Sequence, residues 1–208
     1  MARRLNDEYK RKTRTRKKTM LIGAEGKNKT EKNYLANYNI RNGLYRVMMA
    51  NGNSTDPVRM VEDIIKTMKL WDIRAEYGDK IYCLLDSDES KDKNTQIKDA
   101  IKLAEQYNIE VIISNPCFED WYLCHYVYTT KYLTNVGVID ELKKYIPNYQ
   151  KNMNIYPQIS HLTDNAIVNA KKQCNYHKEL NNDINKVEAN PSTEIYKIVE
   201  EFMKNNFE

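Results

Sequence analysis

The segment 80–89, KIYCLLDSDE, constrains this chain more than any other. Ile81, Tyr82, Cys83, Leu84 and Leu85 form an unbroken apolar run that stops at Asp86-Ser87-Asp88. A run of that length, rich in strand-forming residues, predicts a strand buried on both faces, as in a parallel sheet. In open α/β sheets ligands bind just beyond the carboxyl ends of the strands, and the two aspartates fall there. Residues two apart on a strand share a face, so the pair is placed to hold one divalent cation. The plainer alternative is that Asp86 and Asp88 only begin a polar loop.

The flanking segments repeat the same alternation. Residues 20–24 (MLIGA), 46–50 (RVMMA) and 110–114 (EVIIS) are further strand candidates. A helix is expected to open at 26–31 with Thr30 as its cap. Another follows Asp56, with Pro57 in the favoured first position and Val58, Val61, Ile64, Ile65 and Met68 recurring at helical spacing. A third carries Ile97, Ala100, Ile101, Ala104 and Tyr107 inward. Pro116 is expected to start a helix bearing Phe118, Trp121 and Tyr122, which puts Glu119 in its first turn. Beyond Tyr128 the pattern is helical, with helices over 138–146, from Thr163 or Asp164, and from Asn190-Pro191-Ser192-Thr193; no further strand is expected. The sum is an α/β fold, a mostly parallel central sheet of about four strands flanked by helices. The chain divides into a basic amino-terminal arm (1–18), an α/β core (19–128) and a helical carboxyl-terminal extension packed on it (129–208).

Composition excludes several classes. Only 6 glycines and 5 prolines against 16 tyrosines argue for a folded chain of ordinary domain size. No apolar run approaches a membrane span, and the start is too charged for a signal peptide. Cys83, Cys117, Cys124 and Cys174 lack both C-x-x-C spacing and a bridging framework, so reduced thiols and a cytoplasmic protein are expected. The GxxxxGK[ST] phosphate loop is absent. His125, His161 and His177 are isolated and read as structural or exposed, and Cys117 as packing.

Charge is uneven. Residues 1–18 carry nine Lys or Arg against Asp7 and Glu8, whereas the remainder holds 24 basic and 27 acidic residues. Such an arm suits nucleic-acid phosphates, through Arg11, Lys12, Arg14, Arg16, Lys17 and Lys18, although a solvated terminus has the same composition. Lys151, in a segment rich in Tyr, Asn and Lys, is a further candidate for that contact.

Three strand ends are thus expected to bring Glu25, Asp86 with Asp88, and Glu119 to one rim. Carboxylates so gathered repel unless a cation neutralises them, and all-oxygen donors select Mg²⁺ or Mn²⁺. Phosphodiester hydrolysis is the natural chemistry of such a centre, with Lys27, Lys29 or Lys151 supporting the phosphate. The expectation requires Glu25 close to Asp86, and neither one neutralised by an arginine or lysine.

The segments AEGKNKTEKNY, NGNSTDP, LLDSDE, SNPCFEDWYLCHY and NPST, in that order, resemble the RloB-like family of bacterial defence proteins from about Met20 to Phe202. That family is similar to the Toprim fold, which uses a glutamate after the first strand and a DxD after the third. The resemblance implies Glu25 as catalytic acid or base or as metal ligand, Asp86 and Asp88 as Mg²⁺ ligands, and Glu119 as a further ligand. One departure is Ala24, where the family usually has cysteine. It also implies a nuclease acting on DNA or RNA, including transfer RNA, as the antiviral effector of a system with an ATPase partner. Alternatives are a non-catalytic nucleic-acid-binding or regulatory subunit, and a metal-dependent enzyme on a small phosphorylated molecule. Self-association into a homo-oligomer is compatible with the sequence.

Overall fold

A computed structural model describes residues 16–25, 30–88 and 92–206. The elements run β1 (Lys18–Gly23), α1 (Thr30–Leu35), β2 (Tyr45–Met49), α2 (Pro57–Trp71), β3 (Lys80–Asp86), α3 (Lys93–Glu105), β4 (Glu110–Asn115) and α4 (Glu119–Cys124). They continue as α5 (Asn135–Lys143), α6 (Tyr156–Ile159), α7 (Thr163–Glu179), β5 (Ser192–Thr193) and α8 (Tyr196–Asn206). Among the described residues the sheet has five strands in the order β2-β1-β3-β4-β5, parallel throughout except for β5. This is the Rossmann- or Toprim-like α/β class expected from the sequence. No helix among the described residues is long and apolar enough to cross a membrane.

Both faces of the sheet are buried, which is why its strands are continuously apolar. Met20, Ile22, Tyr82, Leu84 and Ile112 point to a core shared with Tyr34, Phe118, Trp121, Ile198 and Phe202. Leu21, Ile81, Cys83, Leu85 and Ile113 point the other way, to Met60, Val61, Ile64, Ile97 and Ala100. Asp56 caps α2 by accepting from the Arg59 N–H at 2.9 Å, with Pro57 in the first turn. Gly23 lets α2 approach β1 closely, since a Cβ there would lie 2.5 Å from Ile64 Cδ1.

Three local expectations are corrected. Pro116 does not begin a helix: the Asn115–Pro116 peptide is cis and α4 starts at Glu119. Asn190 does not open the last helix either. Ser192 and Thr193 pair antiparallel with Asn115 and Ser114, and the Ser114 and Thr193 hydroxyls share a hydrogen bond of 2.9 Å. A two-residue strand is too short to leave a periodic signal, so the fifth strand and the later helix start were invisible. Tyr107 lies beyond the end of α3 and is exposed, not on its inward stripe. The carboxyl-terminal region also joins the core: Phe202 stacks on Tyr38 at 4.9 Å, and Tyr45 donates to Glu201 Oε1 at 2.7 Å.

Candidate metal centre

The strand order creates the site. β2 lies on one side of β1 and β3 on the other, so the connections leaving β1 and β2 diverge and open a crevice at the carboxyl ends of β1 and β3. Glu25 follows β1 and Asp86 ends β3, one on each side of that crevice. Asp86 continues the face of Tyr82 and Leu84, and Asp88 follows in a turn with a left-handed φ of 51°, which Asp tolerates better than most residues. That turn is tied to the neighbouring strand end: Ser87 N–H donates to Ser114 O at 3.0 Å and Asp88 N–H to Pro116 O at 3.2 Å. Carboxylate oxygens of Glu25, Asp86 and Asp88 all lie within 4.8 Å of one another.

Two further carboxylates approach from the helices on the Asp86 face. Glu119 stands in the first turn of α4, buried, and accepts from the Tyr149 hydroxyl at 3.1 Å. A six-residue helix is not stable by itself; burial of Trp121, worth roughly 5 kcal/mol, far exceeds any dipole term and sets where Glu119 points. Glu31, near the start of α1, is 3% exposed, and its Oε2 has no hydrogen-bond partner among the described residues. Glu31 is absent from the candidates that the sequence suggests, because an acid in the first turn of a helix looks like a dipole complement.

The electrostatics record this crowding. Burial pushes the Glu31 carboxyl from 4.5 up to about 7, with the charges of Glu119 and Glu25 adding to it. Asp86 is raised well above the ordinary range by burial, then by Glu31, Glu119, Glu25 and Asp88. Glu25 is also raised, by burial, against the pull of Lys93.

Lys93 is the second residue missed. Its ammonium lies 3.1 Å from Glu25 Oε1 and also contacts Asp88 Oδ2, while Asn135 Nδ2 donates to Asp88 Oδ1 at 3.2 Å. The requirement that no lysine neutralise Glu25 or Asp86 is therefore met for Asp86, which forms no ion pair among the described residues, and not met for Glu25. A metal is not the sole route to neutralising this rim, contrary to the sequence expectation. Nothing in the local sequence marks Lys93, whose partner Glu25 lies 68 positions away.

The remaining candidates separate by location. Lys151 is exposed at the rim, close enough to draw down Glu25 and Glu31, and its neighbour Asn152 bonds to Thr30 and Asn33. Arg16 instead pairs with Asp79 at 2.9 Å and covers the Tyr77 ring, Lys17 donates to Ile40 O at 2.7 Å, and Lys18 starts β1. These three lie at the amino edge of the sheet, the far end of β1 from Glu25. Arg11, Lys12, Arg14, Lys27 and Lys29 lie outside the described residues. Burial and the charges of Glu119 and Asp86 push the Cys117 thiol well up, which removes it as a nucleophile. His125 and His177 are buried and bonded to the carbonyls of Trp121 and Pro191, and His161 is exposed.

Fold and site together define an α/β protein with an all-oxygen acidic centre at the switch point of a parallel sheet. The family model of RloB-like proteins matches residues 20–202, and the chain belongs to that family. Comparison with curated proteins and with solved structures returned no match.

Proposed function

We propose that this protein is a Mg²⁺- or Mn²⁺-dependent nuclease that hydrolyses phosphodiester bonds in DNA or RNA. The supporting observation is the convergence of Glu25, Asp86 and Asp88 within 4.8 Å at the switch point, backed by Glu31 and Glu119. The donor set fits a hard divalent cation: every group is a carboxylate, and Glu31 keeps a buried oxygen without a partner among the described residues. When bound, an ion of this kind would polarise a phosphoryl oxygen and favour loss of a proton from an attacking water.

The chain's own residues supply the rest. Glu25, Asp86 and Asp88 hold the cation, and Glu119, fixed by Tyr149, serves as a further ligand. Lys151 at the rim meets the substrate phosphate, with Lys29 a further candidate, and the basic arm binds nucleic-acid phosphates. Family membership supports a cytoplasmic antiviral effector working with an ATPase partner.

Lys93 favours a second reading. Its ammonium already balances two carboxylates, as in a non-catalytic nucleic-acid-binding or regulatory subunit whose acidic rim is structural. Sequencing nucleic-acid ends from cells expressing wild type or Asp86→Ala separates the two. New ends that require Asp86 identify a nuclease and its substrate. Identical ends in both, with phage protection intact, favour the binding subunit.

A further inference from the structure

Lys93 occupies a position that local forces disfavour. It is the first residue of α3, where an ammonium faces the positive pole of the helix. Its side chain is only 10% exposed, and burial alone weakens a lysine's hold on its proton. Asp92, the residue before it, makes no side-chain capping bond to the helix. What holds the ammonium there is the pair Glu25 Oε1, at 3.1 Å, and Asp88 Oδ2. With both partners in place, Lys93 is raised despite burial.

The same two residues belong to the three whose oxygens converge within 4.8 Å. Both oxygens of Asp88 are already engaged: Oδ2 faces Lys93, and Oδ1 accepts from Asn135 at 3.2 Å. A divalent ion bound by Glu25 and Asp88 would compete with those partners for the remaining lone pairs. Two cations sharing one carboxylate oxygen sit a few ångströms apart and repel each other strongly in a partly buried site. Mg²⁺ also demands short, near-octahedral contacts, which leaves little room for an ammonium among the same lone pairs. The lysine stem is flexible enough to withdraw, whereas the turn that carries Asp88 is tied to the neighbouring strand end through the Ser87 and Asp88 N–H groups.

We infer that Lys93 is a tethered counter-cation of the acidic centre. In the metal-free protein its ammonium balances Glu25 and Asp88, and a divalent ion binds there only as that ammonium withdraws. Lys93 is thus a positioning residue that holds the carboxylates together when no metal is bound and weakens metal binding when one is present. The inference rests on the metal-dependent reading above and extends it to how the centre loads.

Mn²⁺ titration of the full chain, followed by calorimetry and by the electron paramagnetic resonance of the free ion, tests this without any assay of turnover. Lys93→Met should bind Mn²⁺ at least about tenfold more tightly than wild type. Its metal-free unfolding midpoint should fall, and Mn²⁺ should raise that midpoint by more than it does in wild type. Lys93→Arg, which keeps the charge, should bind Mn²⁺ as weakly as wild type; a purely steric effect of Lys93 would not follow charge in this way. Lys93→Gln gives the same measurement should the methionine variant not fold. Affinity that is unchanged or weaker in both neutral variants overturns the counter-cation role while leaving a metal centre intact. Equal Mn²⁺ binding by wild type and Asp86→Asn, or none by any variant, removes the metal reading and this inference together.

Discussion

Tyr149 donates its hydroxyl to Glu119 Oε1 at 3.1 Å, and both side chains are buried. The bond ties the segment after α5 to the acidic centre, and the Tyr149 ring also stands edge-on to Tyr122 at 6.1 Å. Tyr149→Phe keeps the ring and removes only the donor. Leaving a buried acceptor without its donor costs about 1–3 kcal/mol, so a loss of that order is expected in urea denaturation. The double variant with Glu119→Gln should lose less than the sum of the single changes. Strict additivity would show that the two groups are not coupled.

Stability should fall with rising pH in the metal-free protein. Burial raises Glu31 from 4.5 and Asp120 from 3.8, each to about 7. Both carboxyls therefore hold a proton more tightly folded than unfolded. The stability this confers is fully present below the unfolded values and is lost as pH rises through the folded ones. For Glu31 the span corresponds to on the order of 3 kcal/mol. Urea midpoints measured between about pH 5 and pH 8 should decline, and Glu31→Gln should flatten the decline. A profile that rises over this range would contradict the burial of these acids.

Asp79 should matter far more to stability than its surface partner. Its fully buried carboxylate accepts from Arg16 Nη2 at 2.9 Å, Thr19 N at 2.8 Å and Arg74 N at 3.0 Å. Asp79→Ala leaves two backbone donors unpaired and is expected to cost roughly 3 kcal/mol or more. Arg16 is 47% exposed, so Arg16→Ala should cost about 1 kcal/mol at most. Thermal or urea denaturation of the two variants checks the order, and equal losses would refute it.

Removing residues 1–15 separates the arm from the acidic centre. Arg16 and Glu25 flank opposite ends of β1, a six-residue strand that spans roughly 17–20 Å. Nucleic-acid affinity should drop, and its log–log salt slope should flatten by about 0.9 for each duplex phosphate that the arm no longer neutralises. Mn²⁺ affinity should not change. A salt slope unaffected by the deletion would exclude the arm from nucleic-acid binding and favour a small phosphorylated substrate.

Much of the fold was legible because it is written in short-range patterns. The run Ile81 to Leu85 announced a doubly buried strand, and the structure places alternate residues of it in two separate cores. Asp56-Pro57 announced the start of α2 to the residue. Where the pattern was only a few residues long it misled: Pro116 follows a cis peptide rather than opening a helix, and Ser192–Thr193 is a strand. Both lie where tertiary contacts, not helix or strand period, set the backbone.

The candidate centre divides in the same way. Glu25, Asp86, Asp88 and Glu119 were identifiable from the sequence because each stands just past an apolar run, and parallel strands deliver their carboxyl ends to one edge. Glu31 and Lys93 were not, and they change the chemistry: one adds a buried acid, the other an ammonium within 3.1 Å of Glu25. The order of residues determined that acids would gather at the rim of an α/β sheet. Which of them are buried, which are paired and what balances their charge was decided only by the tertiary structure, because desolvation and Coulomb energy depend on distances between segments far apart in the chain.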